Sequence, residues 1–147
     1  MDKLGWIILV LITGALLPIQ AGLNTKMGKV VANPFWASFI SFAVGMVALL
    51  VFILLTKQKM NAGSLAEVPK MYWLAGVLGA FYITVMIFAF PRIGAALTFS
   101  LLIAGQLSVS LLLDHYQVLV QQQQSINIYR ILGLLLIIAG VIVIRKF

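Results

Sequence analysis

No cysteine occurs in the 147 residues, and histidine occurs once. Disulfide frameworks, thiolate metal sites and pairs of metal-spaced histidines are thereby excluded. Acids are almost as scarce: Asp2, Glu67 and Asp114 are the only three, against ten Lys and Arg. Hydrolytic chemistry has few parts to work with, and neither a phosphate-binding glycine loop nor a GxSxG turn appears. The sequence therefore predicts no enzyme, no cofactor and no metal. Charged residues make up only 9% of the chain and hydrophobic ones 63%, whereas ordinary globular domains are about a quarter charged. With a mean hydropathy of +1.15, that balance belongs to lipid. The formal net charge of +7 does not point to nucleic acid, because Lys and Arg stand between apolar runs and not on one face or tail. They are expected to settle at the lipid headgroups.

What is present is a series of long apolar runs. A helix needs roughly 20 apolar residues to cross the hydrocarbon core, and five stretches qualify. They are Leu4 to Leu23, Phe35 to Thr56, Met71 to Phe90, Ala95 to Leu113 and Ile128 to Ile144. The period-2 alternation of a membrane barrel is absent, so the expected fold class is all-α, a polytopic bundle of five transmembrane helices in a single domain. Trp6, Trp36, Tyr72, Trp73 and Tyr129 fall near the span boundaries, where amphipathic rings favour the interface. Pro34 and Pro91 predict breaks. Lys3 and the first apolar stretch resemble a secretory signal, but Ile19 and Ala21 make a weak cleavage site, so the first span is expected to stay. The run Gln121 to Gln124 is of low complexity and predicts a solvated loop.

Five spans put the termini on opposite faces, which sorts the basic residues into two sets. Lys3, Lys57, Lys59, Lys70 and Arg130 fall on one side, and Lys26, Lys29, Arg92, Arg145 and Lys146 on the other. Insertion is ordinarily fixed by an excess of positive charge on the cytoplasmic side, and here the two sides are equal. The expectation is a chain that inserts both ways and pairs with itself as an antiparallel homodimer, with the symmetry of an inverted repeat.

Polar side chains inside a membrane helix are costly and are therefore the first functional candidates. Thr13, Gln20 and Asn24 share one face of the first span, and Pro18 beside them frees the carbonyl of Gly14. Gln106, Ser110 and Asp114 recur every four residues on the fourth span, ending in a carboxylate next to His115. The candidate substrate-binding set is Gln20, Asn24, Gln106, Thr13 and Ser41. Asp114, His115 and Arg92 are the candidates for a gate or a proton-linked step. Small residues on the second, third and fifth spans, among them Gly45, Gly79 and Gly140, are expected to let helices approach closely.

The segment Pro18-Ile-Gln-Ala-Gly-Leu-Asn24, the run Gly76-Val-Leu-Gly-Ala80 followed by Pro91-Arg-Ile-Gly-Ala95, and Gly105-Gln106 followed by Asp114-His115 resemble the YdcZ-type branch of the drug/metabolite transporter superfamily. The resemblance covers nearly the whole chain. It implies a five-helix exporter of the bacterial inner membrane, from a family that occurs as single genes, as pairs and as fused tandem copies. Gln20, Asn24, Gln106, Asp114 and His115 match the family's polar motif positions. After His115 the glycine-containing turn that the resemblance implies is replaced by Gln117 to Gln124. The expected function is a small secondary transporter of an unidentified small organic molecule, with a small-ion or water channel and a non-transporting membrane subunit as the alternatives. Its expected partners are the lipid bilayer and a second copy of itself.

Overall fold

The computed structural model describes residues 2–60 and 62–147, and among these there is no strand. Helix α1 spans Lys3–Val30, α2 Pro34–Leu55, the short α3 Ala62–Ala66, α4 Leu74–Ile93, α5 Ala95–Tyr116 and α6 Ile128–Lys146; a 3-10 turn over Lys70–Trp73 leads into α4. Among the described residues five helices are long and apolar enough to cross a membrane, the third of them counted with its 3-10 turn as Lys70–Ile93. Outer faces such as Leu11, Val44 and Leu136 stay exposed, as lipid-facing side chains should.

Several boundaries differ from expectation, each for a local reason. Helix α1 runs past the expected end at Leu23 to Val30, so Asn24 lies well inside it. Nothing in Asn24–Val30 breaks a helix, and Lys29 in the last turn suits the negative end of the helix dipole. The chain then turns within three residues, with Ala32 left-handed at φ 52. The Asn33 side chain accepts the backbone N–H of Phe35 at 2.9 Å, and Pro34 opens α2, where its missing N–H costs nothing. Pro91 does not end α4, because in the last turn a proline removes one bond only. The break falls instead at Gly94, whose φ of +80 suits glycine alone.

The chain divides into two compact units, Met1–Arg92 and Ile93–Phe147. In the first, the buried residues gather where α1 ends, α2 begins and α4 ends. Ala21, Asn24, Thr25 and Gly28 of α1 are buried there, with Ala37 and Ser38 of α2 and Ile83, Met86 and Ile87 of α4. Gly28 is what allows the approach: a Cβ at this position would stand 3.2 Å from Cγ2 of Ile87 and 3.6 Å from Cβ of Ala37. Phe35 meets Phe88 edge to face at 5.8 Å between centroids, closing the same end. The opposite ends of these helices, Leu4–Leu16, Val44–Leu55 and Leu74–Leu78, contain no buried residue.

In the second unit, α5 and α6 pack directly against each other. Their connection leaves α5 through two left-handed residues, Gln117 at φ 53 and Leu119 at φ 62. These occupy the place where a glycine would have made the turn at no steric cost.

Candidate functional site

The first unit contains a groove of about 620 Å³ along α2, between it and facing residues of α1 and α4. Its size falls within the roughly 300–1,000 Å³ of small-molecule sites. Its walls are mainly apolar, from Phe42, Met46 and Leu49 among others, and its polar atoms come from Gln20, Ser41 and Tyr82. None of the three acids lines it. Gly79 sits where a Cβ would come within 3.4 Å of the Phe42 ring, so its lack of a side chain leaves room for that ring.

One turn deeper along α1 the environment closes. Asn24 and Thr25 are buried to 3% and 7% exposure, and neither the Asn24 side-chain nitrogen nor the Thr25 hydroxyl has a hydrogen-bond partner among the described residues. Ser38 and Thr84 nearby are satisfied: their hydroxyls lie 2.8 Å apart, within reach of the Pro34 carbonyl at 3.1 Å and the Ala80 carbonyl at 2.7 Å. A buried polar group without a partner costs about 1–3 kcal/mol.

At the end of the first unit lies a separate recess of about 150 Å³, walled by Thr25, Gly28, Lys29, Phe88 and Arg92 among others. The Arg92 guanidinium donates to the carbonyl of Phe88 at 2.6 Å and stands 5.3 Å from the centre of the Phe88 ring. That carbonyl lies near the C-terminal end of α4, where a cation complements the helix dipole.

The candidate residues of the second unit sit differently. Asp114 does not pair with its neighbour His115; its carboxylate accepts from Arg130 at 3.2 Å, with both side chains three-quarters buried. Arg130 also donates to the Gln124 backbone carbonyl at 3.1 Å and to the Gln124 side-chain oxygen. His115 accepts the Ile126 N–H on Nδ1 at 3.3 Å, and its carbonyl accepts from the Gln123 side chain at 2.8 Å. The glutamine run is therefore not a merely solvated loop: Gln123 and Gln124 tie the end of α5 to the start of α6. Gln106 is exposed on α5.

The structure thus brings Gln20 and Ser41 together on one groove and buries Asn24 one turn beyond Gln20. Thr13 is exposed away from that groove, and its hydroxyl is satisfied by the Leu9 carbonyl at 2.8 Å. Tyr82 is a groove residue that composition did not single out, although it is the only tyrosine of the four lying mid-span and not near a helix end. Thr25 was not singled out, and Lys29 was read only as a headgroup charge, because the first span was expected to stop at Leu23.

Five apolar helices, most of their surface given to lipid, and a groove with apolar walls and sparse polar groups define a multi-pass membrane protein with room for a small molecule. The chain belongs to the family described as "Putative inner membrane exporter, YdcZ", whose family model matches residues 5–143. It is accordingly a multi-pass protein of the inner membrane, as the motifs around Gln20 and Gln106 suggested. No curated protein and no solved structure matches the chain.

Proposed function

We propose that the protein is a secondary transporter that exports a small, neutral or weakly charged amphipathic molecule, and that it works by alternating access as an antiparallel homodimer of dual topology. The groove carries the proposal. An apolar trough with a carboxamide, a hydroxyl and a phenol offers burial for a hydrocarbon body and a few hydrogen bonds to orient a polar end. With no carboxylate in its lining, it lacks the anchor that a bare cation or a metal ion would need. Gln20 and Ser41 would bind the polar end, with Asn24 a turn deeper. Gln106, exposed on α5 two turns from Asp114, is a separate polar candidate within the second unit. The equal division of Lys and Arg between the two faces supports the dual topology.

The test is counterflow in liposomes reconstituted with the purified protein, using a panel of neutral and weakly basic amphipathic dyes. Saturable counterflow of at least one dye, reduced about tenfold in Gln20→Leu, is expected; a tenfold loss corresponds to about 1.4 kcal/mol, the order of one hydrogen bond. Flux without counterflow would mean a channel, and no flux of any dye would overturn the transport reading. Single cysteines added near each terminus of this cysteine-free chain test the topology. Each should react with an impermeant reagent in about half of the molecules in cells, and reaction at one terminus alone would overturn the antiparallel dimer.

A further inference from the structure

We propose that the recess walled by Thr25, Lys29 and Arg92 is a binding site for a phosphate group. Two cationic side chains line a volume of about 150 Å³, large enough for one oxyanionic head and too small for a whole drug-sized ligand. The Thr25 hydroxyl, in the wall of the same recess, is buried and has no partner among the described residues. A threonine in a helix ordinarily satisfies itself on the carbonyl four residues back, as Thr13, Thr84 and Thr98 do. Thr25 does not, and its proton is available for an acceptor that the described residues do not supply.

The electrostatics favour an anion. The carbonyl ends of α1 and α4 each bring roughly half a negative charge, and the start of α2 at Pro34 brings roughly half a positive one. Two full positive charges on Lys29 and Arg92 outweigh that sum. Arg92 spends one N–H on the Phe88 carbonyl, which fixes the guanidinium at the rim and leaves its other donors for a forked contact with phosphate oxygens. The height is also suitable: the 28 residues of α1 make a helix about 42 Å long, against a hydrocarbon core of about 30 Å. Its last turns therefore reach the level of lipid phosphates and of the adjoining water. The phosphate can come from a lipid headgroup or from solution. The recess is separate from the groove, so its occupancy can be tested whether or not the chain exports anything.

Thermal unfolding in detergent provides the test, with inorganic phosphate in one arm and dihexanoyl phosphatidylglycerol in the other. Potassium chloride of equal ionic strength and dihexanoyl glycerol serve as controls. The wild-type midpoint should rise with a phosphate-bearing probe and not with its control. A rise with inorganic phosphate assigns a soluble source, and a rise with the lipid alone assigns the headgroup. Arg92→Gln and Lys29→Gln should weaken the apparent affinity about tenfold each. Thr25→Val should weaken it several-fold while leaving the unliganded protein at least as stable, since it removes an unpaired buried hydroxyl. No rise with either probe, or equal rises in wild type and all three variants, would overturn the site.

Discussion

In residues 93–147 the carboxylate of Asp114 ends on Arg130, Arg130 ends on Gln124, and His115 is held at both its ring and its carbonyl. In the first unit Asn24 and Thr25 are more deeply buried than any of these, and each carries a polar atom with no partner among the described residues. The contrast separates two uses of polar residues near a membrane. A network that closes on itself fixes a loop and has little left to offer a ligand. A buried group left open carries a penalty that a ligand can remove, and such groups are where a small transporter can be expected to bind.

The largest effect that can break this comparison is at Arg130. Replacing it with leucine leaves a mostly buried carboxylate unpaired and frees two oxygens of Gln124. The expected cost is about 2–3 kcal/mol, between the values for exposed and fully buried pairs. It should appear as a lower unfolding midpoint by circular dichroism in detergent. Asp114→Asn keeps an acceptor oxygen and should cost about 1 kcal/mol. If Arg130→Leu leaves the midpoint in place and instead abolishes dye counterflow, the network is a gate and not a stitch.

Next in size is Gly28. A leucine there drives its Cβ to 3.2 Å from Ile87, with three further carbons to place, at an expected cost of about 2 kcal/mol. A Cβ at Gly14 meets nothing within 4 Å, and Gly14→Leu should be neutral or stabilising, by up to about 1 kcal/mol from helix propensity. Equal midpoints for the two variants would show that the end holding Asn24 and Thr25 is loosely packed. Its open polar groups could then find partners by small movements, and the comparison would fail.

The five spans were legible because apolar length decides them, and the outcome at Phe35–Thr56 and Ile128–Ile144 shifted by no more than two residues. Less legible were the places where a local signal competed with helix continuation. The first span was expected to end at Leu23, and Pro91 looked like a break, yet Asn24–Val30 and Pro91 both remain helical. Gln20 and Ser41, singled out because polarity inside an apolar span is expensive, both line the groove. The partner of Asp114 was not: Arg130 lies sixteen positions away, and only the course of the Gln117–Asn127 connection brings it to the carboxylate. Composition suggested a neighbour, His115, where the fold supplied a distant cation.

The smallest predicted effect is the sharpest use of the comparison, since it makes one substitution at two sites of the same unit. Thr84→Val removes a hydroxyl that lies 2.8 Å from Ser38 and 2.7 Å from its own Ala80 carbonyl. Ser38 keeps the Pro34 carbonyl, so the loss should be only about 0.6 kcal/mol, the typical worth of a hydrogen bond between membrane helices. Thr25→Val, of the same size and shape, should give no loss or a gain in the absence of ligand. Opposite signs for these two variants would establish that the difference between closed and open polar groups is energetic. A loss at both would mean that the Thr25 hydroxyl is already satisfied within the protein, and the case for a phosphate site at Thr25 would end there.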